Sequence, residues 1–164
     1  MQFRFATIND LPVIVDIYNS TIPSNLTTAD TEFVTVNDKL IWFNEHNSLK
    51  RPLWIVEINN CIIGWISLQD FYGRPAYNGT AEISIYLEEN YRNKGFGKKM
   101  LSFTIEQCNK LDIHTLLAFI FQQNEASIRL FKSAGFEDWA LLKEVALLNS
   151  TFANLIILGK KVTQ

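Results

Sequence analysis

Apolar residues recur along this chain at two spacings, one typical of strands and the other typical of helices. Between positions 81 and 87 every second residue is apolar, so Ile83, Ile85 and Leu87 would share one face of a strand and Glu82 would lie on the other. Around Ile14 the spacing is three to four, as in an amphipathic helix. Applied to the whole chain, the patterns predict strands at 2–6, 52–57, 61–71, 81–87, 115–121 and within 151–162, and helices beginning near 12 and at 36–46, 97–111 and 124–134.

Residues with strong turn and capping preferences separate these elements. Thr35 is a suitable N-cap for the second helix, and the pair Asn59 and Asn60 suits a hairpin because asparagine tolerates positive φ. Gly64, inside a predicted strand, indicates a bulge or a close contact, and Gly135 is a natural residue just past a helix end. The resulting order, β-α-α-β-β-β-α-β-α-β-β, predicts one α/β domain over 1–164, with a mixed sheet and helices on both of its faces.

Composition and charge argue against several classes of protein. The chain has 164 residues, 48% of them hydrophobic, and a formal net charge of −2, so it can bury a substantial core but has no broad basic field for nucleic acid. No apolar run is long enough to cross a membrane, and the first residues do not resemble a signal peptide. Cys61, Cys108 and the two histidines lack metal-ligand spacing. We therefore expect a cytoplasmic protein without a metal.

A glycine turn between a predicted strand and a predicted helix is the strongest chemical signal. It runs from Arg92 to Lys98 as Arg-Asn-Lys-Gly-Phe-Gly-Lys. The first N–H groups of a helix lack internal partners and attract anions, and glycine lets backbone lie directly against them. A P-loop would need glycine at Arg92, and a dinucleotide fingerprint would need glycine at Met100. The segment therefore predicts either a pyrophosphate site of another kind or an ordinary glycine turn before a helix.

Two motifs carry a resemblance to a known family. Arg-x-x-Gly-x-Gly at 92–97 resembles the acyl-CoA pyrophosphate loop of the GNAT superfamily of N-acyltransferases. Asn-x-x-Ser at 124–127, followed by Leu-Phe at 130–131 and Gly-Phe at 135–136, is similar to a second motif of that family. Further segments, Trp-Phe-x-x-His at 42–46 and Thr-Ala-Glu-x-Ser-x-Tyr at 80–86, resemble its phosphinothricin and L-amino-acid N-acyltransferase branch.

The resemblance implies a fold, a co-substrate and an assembly. The central sheet would be mostly antiparallel, with two neighbouring central strands splayed apart around the pantetheine arm of acetyl-CoA. Members of the branch acetylate the α-amine of amino-acid-like substrates and are commonly homodimers. The residues expected to contact acetyl-CoA are Ile85, Tyr86 and Leu87 on the strand, Arg92, Asn93, Lys94, Gly95, Phe96, Gly97 and Lys98 in the loop, and Asn124, Ser127 and Phe131 after it.

Acetyl transfer needs a deprotonated amine, and Glu82 is the candidate base. An alkyl amine is mostly protonated at pH 7, and a general base typically contributes roughly 10²–10⁴-fold in rate. Glu82 matches the carboxylate proposed as the base in the resembling branch; the alternative is a solvated strand-edge glutamate. Asn124 would reach the pantetheine or a catalytic water, or would only cap its helix. Phe131 cannot donate a proton, although many GNAT enzymes have a tyrosine there that protonates the departing thiolate.

Arg74 and Tyr77 are the predicted contacts of the substrate. They precede Glu82 by a few residues, and an arginine can pair bidentately with a carboxylate. The alternative is a surface arginine and a packed tyrosine. The segment 152–154 replaces a Trp-x-Asp-like segment of the branch, so we expect an amino-acid analogue other than phosphinothricin.

The sequence therefore predicts an acetyl-CoA-dependent N-acetyltransferase that acts on a small amino-acid-like amine by direct attack. One alternative is a protein N-terminal or lysine acetyltransferase, which would need an open peptide groove, whereas the loops at 21–33 and 72–80 are long enough to cover the site. Another is a non-catalytic acyl-CoA-binding sensor, which the presence of Glu82 disfavours. We expect neither a nucleic-acid partner nor a membrane partner.

Overall fold

A computed structural model of the chain describes residues 1–162, so the last two positions of the predicted domain range lie outside the described residues. The described chain contains strands and α-helices in the predicted order. The strands are β1 Gln2–Phe5, β2 Leu53–Ile58, β3 Cys61–Asp70, β4 Thr80–Leu87, β5 Thr115–Phe121, β6 Glu137–Leu148 and β7 Thr151–Lys161. The α-helices are α1 Leu11–Asn19, α2 Val36–Asn44, α3 Phe96–Gln107 and α4 Glu125–Ser133.

The seven strands form one mixed sheet in the order β1-β2-β3-β4-β5-β7-β6. Because side chains alternate across a strand, the sheet separates two apolar cores. On β2, Trp54 and Val56 belong to the core that includes α3 and α4, whereas Leu53 and Ile55 belong to the core under α1. Helix α2 has no fully buried residue and packs on the second core with Leu40, Trp42 and Phe43. The prediction of helices on both faces is confirmed.

The predicted turns and caps have direct physical explanations in the structure. Thr35 accepts a hydrogen bond from the Asp38 N–H at 3.3 Å and so caps α2. Asn59 and Asn60 both have positive φ, at 50° and 63°, and join β2 to β3. A side chain at Gly64 would collide with the carbonyl oxygen of Tyr86, so glycine is needed there for close approach of β3 to β4.

The edge strand β6 is the element that the sequence pattern did not delimit. The predicted order required two strands at the end, but only the last received bounds. Segment 137–148 is rich in Ala, Leu, Lys and Glu, which favour helix. Its pairing with β7 shifts register twice, and Glu144 has a φ of +55°, so apolar residues do not alternate cleanly along it.

The central strands part as predicted. All neighbouring strands are antiparallel except β4 and β5. The parallel β4–β5 ladder contains only three residue pairs, Thr80 with Thr115, Ala81 with Leu116 and Glu82 with Leu117. On its other side β4 stays paired with β3 as far as Leu87. The sheet is therefore continuous from one edge up to β4 and opens beyond Glu82.

Candidate active site

A cavity of about 510 Å³ lies where β4 and β5 part, within the range of small-molecule sites. Residues 83–86 of β4 and 118–121 of β5 line it, and the remaining walls come from β3, α1, α2, the α1–α2 loop, α4 and the β6–β7 edge. No described helix is long and apolar enough to span a membrane, and residues 1–162 contain no group of three or more His, Cys, Asp or Glu placed to hold a metal ion.

Glu82 lies at the point where β4 and β5 separate. It forms the last residue pair of the β4–β5 ladder, with Leu117, and pairs with Gln69 on the other side. Its half-buried side chain lines the cavity. Burial raises the pKa of the Glu82 carboxyl above its ordinary value. A base with a raised pKa holds a proton more strongly at neutral pH than an exposed carboxylate does.

Two polar residues of β3 extend the polar wall around Glu82, and sequence reasoning missed both. Ser67 pairs with Ser84 and Gln69 pairs with Glu82, and all four side chains line the cavity. Ser67 is only 1% exposed. A signal was available, because these polar residues alternate with buried apolar residues in a strand covered on both faces, where a polar group needs a partner or a cavity.

The opposite wall of the cavity carries a polar network that joins α1, α2 and the loop between them. The Tyr18 hydroxyl donates to Asp30 at 2.5 Å and is hydrogen-bonded to Thr28. Lys39 of α2 places its ammonium 4.3 Å from the centre of the Tyr18 ring. Burial and the neighbouring Asp30 raise the pKa of Tyr18, so its hydroxyl stays protonated. Sequence reasoning assigned none of these residues, because their proximity appears only once α1 and α2 pack together.

The second predicted motif lies on the cavity and also caps a helix. Asn124, Ser127 and Phe131 all line the cavity. Asn124 accepts from the Ser127 N–H at 3.1 Å and donates to the Leu26 carbonyl, also at 3.1 Å. Asn124 therefore caps α4 and also lines the cavity. The same side chain fastens the α1–α2 loop. Phe131 is buried, with its ring 5.0 Å from that of Phe136.

The glycine loop follows β4 and leads into the N-terminus of α3. The helix begins at Phe96, one residue before the predicted start, and its first internal hydrogen bond runs from the Lys99 N–H to the Gly95 carbonyl. The N–H groups of Phe96, Gly97 and Lys98 precede that bond and lack helical partners. Gly95 has a φ of +81°, and a side chain there would meet no protein atom within 4 Å. Asn93 also has positive φ, and it is exposed together with Lys94. None of the residues from Arg92 to Lys98 lines the cavity.

Two residues of this loop have structural roles that the sequence analysis did not foresee. Gly97 is buried, and a Cβ there would lie 2.9 Å from the side-chain end of Leu130 of α4, so its small size also allows α3 and α4 to pack closely. Arg92 donates to the Leu87 carbonyl at 3.0 Å and to the Ser20 hydroxyl at 3.2 Å. Arg92 therefore ties the glycine loop to β4 and to the end of α1. Leu87 itself is not among the residues that line the cavity.

The structure does not bring Arg74 and Tyr77 to the cavity. Both are exposed, Tyr77 in the turn at 75–77 and Arg74 directly before that turn, and neither is a lining residue. Arg74 lies 6.0 Å from the ring of Tyr72, and Tyr77 packs edge-on against Phe71. The turn thus forms an aromatic cluster at the surface, and the role of the two residues in substrate binding stays a prediction.

Comparison with known proteins decides the family. The model described as the Acetyltransferase (GNAT) family matches residues 14–136. The chain belongs to the GNAT acetyltransferase family. This GNAT chain is 44% identical to the provisionally named phosphinothricin acetyltransferase YwnH of Bacillus subtilis (strain 168), over 99% of the chain and 100% of that protein. It is 31% identical to the L-methionine sulfoximine/L-methionine sulfone acetyltransferase of Salmonella typhimurium, over 90% of the chain and 86% of that protein.

A solved GNAT structure identifies the co-substrate. The phosphinothricin acetyltransferase from Sinorhizobium meliloti, in complex with acetyl-CoA, matches with a TM-score of 0.90 and 25% identity, over 98% of this chain and 88% of that one. The present chain is accordingly an acetyl-CoA-dependent N-acetyltransferase. Its residues fit that co-substrate, because β4 leaves β5 after Glu82, and Gly95 faces open space beside the first N–H groups of α3.

Proposed function

We propose that this GNAT enzyme transfers the acetyl group of acetyl-CoA to the primary amine of a small amino-acid-like substrate. The observation that carries the proposal is the position of Glu82, a half-buried carboxylate where β4 and β5 separate, which lines a cavity of about 510 Å³. Acyl transfer to an amine needs a base at this kind of position, because the amine must lose a proton before or as it attacks.

Acetyl-CoA would be held along β4 and at the start of α3. Its pyrophosphate would meet the N–H groups of residues 96–98, with positive charge from Lys94 and Lys98. Its pantetheine amides would pair with the backbone of β4 between Ile85 and Leu87 in the manner of an added strand. A backbone N–H of this stretch would polarise the thioester carbonyl.

The reaction would be a direct attack by the substrate nitrogen. Glu82 would accept the amine proton, directly or through one water, the new amide C–N bond would form, and the C–S bond would break. Phe131 has no proton to give, so the CoA thiolate would leave unassisted or take a proton from water. Asn124 would hold the pantetheine or the water from the rim of the cavity.

The tethered α1–α2 loop on the cavity wall favours a small substrate over a peptide. Asn124 fastens the α1–α2 loop through Leu26, and Asn19 fixes its far end by bonds of 2.9 and 3.0 Å to the backbone of Val34. We expect this tethered loop to restrict the entry of a peptide, whereas a cavity of about 510 Å³ is large enough for a free amino acid. Relatives named for L-methionine sulfoximine, L-methionine sulfone and L-amino acids support the same substrate class.

One assay separates this function from its alternatives. Release of free CoA from acetyl-CoA is measured with phosphinothricin, L-methionine sulfone, a panel of L-amino acids, a set of short peptides, and no amine. The proposal predicts turnover with free amino acids or their analogues and little with peptides. Turnover with peptides only would indicate a protein acetyltransferase, and acetyl-CoA binding without turnover on any amine would indicate a sensor.

The assembly and the location are parts of the same proposal. We propose a homodimer built on β6, because this edge strand exposes several apolar side chains and its residues Val145 and Ala146 line the cavity. We propose that the enzyme acts in the cytoplasm, where its free thiols at Cys61 and Cys108 would stay reduced.

A further inference from the structure

Only two of the described residues that line the cavity carry a formal charge, Glu82 and Lys39. They come from different walls, Glu82 from β4 and Lys39 from α2. An α-amino acid also presents two ionisable groups, an amine and a carboxylate. If Glu82 faces the amine, as proposed above, a cation on another wall would suit the carboxylate, and the exposed Arg74 is not on a wall of the cavity.

Lys39 is held in place chiefly by aromatic rings. Its ammonium lies 4.3 Å from the centre of the Tyr18 ring and 5.8 Å from that of Trp42. Cation–π contacts of this kind position a lysine without occupying its N–H donors in strong hydrogen bonds. The Lys39 side chain is 22% exposed, so a carboxylate bound to it would be partly shielded from water and its attraction less screened.

Asp30 is the only acidic partner of Lys39 among the described ion pairs, and the contact is loose. The Lys39 ammonium and the Asp30 carboxylate are 3.6 Å apart, beyond a hydrogen bond. Asp30 already accepts from the Tyr18 hydroxyl at 2.5 Å, and its own side chain is 43% exposed. The ammonium therefore retains donors for a second, better-placed carboxylate.

We propose that Lys39 binds the carboxylate of an amino-acid substrate and so determines the preference for free amino acids over uncharged amines, with Tyr18 holding the lysine in place. The inference rests on the proposed function and assigns its carboxylate contact to α2 instead of the 75–77 turn. Lys39 is a specificity residue in this account and takes no part in the proton transfer at Glu82.

The test compares two substrates that differ only at the carboxylate, L-methionine sulfone and its carboxamide. The full-length Lys39→Met variant keeps the length of the side chain and removes the charge, and Lys39→Arg restores a cation. Lys110→Met, at an exposed lysine far from the cavity, is the matched control. Retention of the acetyl-CoA-induced melting shift shows that each variant is folded.

We expect Lys39→Met to lower kcat/KM for the free amino acid by about 10- to 100-fold, the range for a lost hydrogen bond to a charged group. The loss should come from a higher KM for the free amino acid. Its kcat, and kcat/KM for the carboxamide, should change by less than about 3-fold. Lys39→Arg should recover much of the preference, and Lys110→Met should behave as wild type.

Three results would overturn the inference while leaving the proposed function intact. The first is an equal fall in kcat/KM for both substrates in Lys39→Met. The second is a wild-type enzyme that does not prefer the free amino acid to its carboxamide. The third is a preference that is lost in Arg74→Met and kept in Lys39→Met. Failure of the wild type to acetylate any free amino acid would instead overturn the proposed function, and this inference with it.

Discussion

The surroundings of Glu82 disfavour its charged form, and the same burial would make it a stronger base in the proposed reaction. Burial raises the pKa of its carboxyl, so the folded protein holds a proton there that the unfolded chain would release near its ordinary value of 4.5. As pH rises above the ordinary value, the free energy of unfolding falls, because the folded state binds more protons than the unfolded state. A buried glutamate at this position therefore lowers stability at neutral pH, which is an expected cost of its proposed role as a base.

We predict that Glu82→Gln lowers kcat by roughly 10²–10⁴-fold at neutral pH and leaves acetyl-CoA binding nearly unchanged. The residual rate should rise with pH as the amine deprotonates unaided. The same variant should melt at a higher temperature than wild type at pH 7, because a buried neutral amide avoids the cost of burying a charged carboxylate. Steady-state kinetics and thermal melting from pH 6 to 9 test both, with the exposed Glu106→Gln as control. An unchanged kcat would exclude Glu82 as the base.

At the scale of residues, sequence patterns located the cavity residues that stand in a motif of a single element. They missed the cavity residues that come together only when several elements pack. Glu82 and Asn124 were identifiable because each stands in a recognisable motif of its own segment. Lys39 and Gln69 belong to no motif, and their positions on the cavity depend on the packing of α2 and the register of β3. Arg74 does not line the cavity, because nearness in sequence to Glu82 did not mean nearness to its side chain.

At the scale of elements, the first strand is fixed to its neighbours by an ion-pair network. Arg4 of β1 contacts Asp10 at 2.7 Å and Glu57 of β2 at 2.9 Å. Asp10 also accepts from the Thr7 N–H at 2.7 Å, at the turn that leads into α1. These bonds lower the pKa of Asp10 to about 2.

We predict that Asp10→Asn lowers the free energy of unfolding by about 2 kcal/mol at pH 7, from the difference between a pKa of about 2 in the folded state and 3.8 in the unfolded state. Because the folded pKa is depressed, this stabilisation is present above pH 4 and is lost as pH falls towards 2. Urea unfolding of wild type and variant at pH 7 and at pH 2.5 measures it. The exposed Asp16→Asn should change little, and an equal loss there would contradict the assignment.

A second prediction at this scale concerns the glycine loop. Gly95→Asp should abolish the melting shift produced by acetyl-CoA, which at a concentration of about 100 times Kd corresponds to about 2.7 kcal/mol. Its side chain would project into open space, where it meets no protein atom but would face a bound pyrophosphate with a negative charge. Gly73→Asp is a matched control, because Gly73 also has positive φ and open space beside it but lies in a distant loop. A normal shift in Gly95→Asp would mean that the pyrophosphate binds elsewhere.

The elements themselves were predictable wherever one side of a strand or helix is buried. The strands β4 and β5 and the helix α4 have regular apolar patterns, and their bounds agree with prediction to within about a residue. The bounds of β6 were missed, because both its composition and its exposed apolar residues differ from those of an ordinary edge strand.

At the scale of the whole molecule, that exposed apolar surface is the strongest reason to expect a second copy. Val145, Leu147 and Phe152 are 55%, 57% and 64% exposed, and Leu147 pairs directly with Phe152 across the β6–β7 ladder. Contiguous apolar surface of this kind usually marks an interface. Because Val145 also lines the cavity, a partner seated on β6 would close the cavity on that side.

We predict that wild type has twice the 18.9 kDa mass of the chain in light scattering at micromolar concentration, and that Leu147→Arg shifts it to the monomer. A charge buried in an apolar interface without a partner is strongly unfavourable, whereas the same arginine on a free surface is solvated. Leu49→Arg is the matched control, since Leu49 is 81% exposed in a loop away from β6 and should leave the dimer intact. The monomeric variant should keep its melting shift with acetyl-CoA, because the glycine loop lies elsewhere, but should lose kcat/KM as the cavity opens beside Val145. A monomeric wild type, or a Leu147→Arg variant that remains dimeric, would remove β6 as the interface.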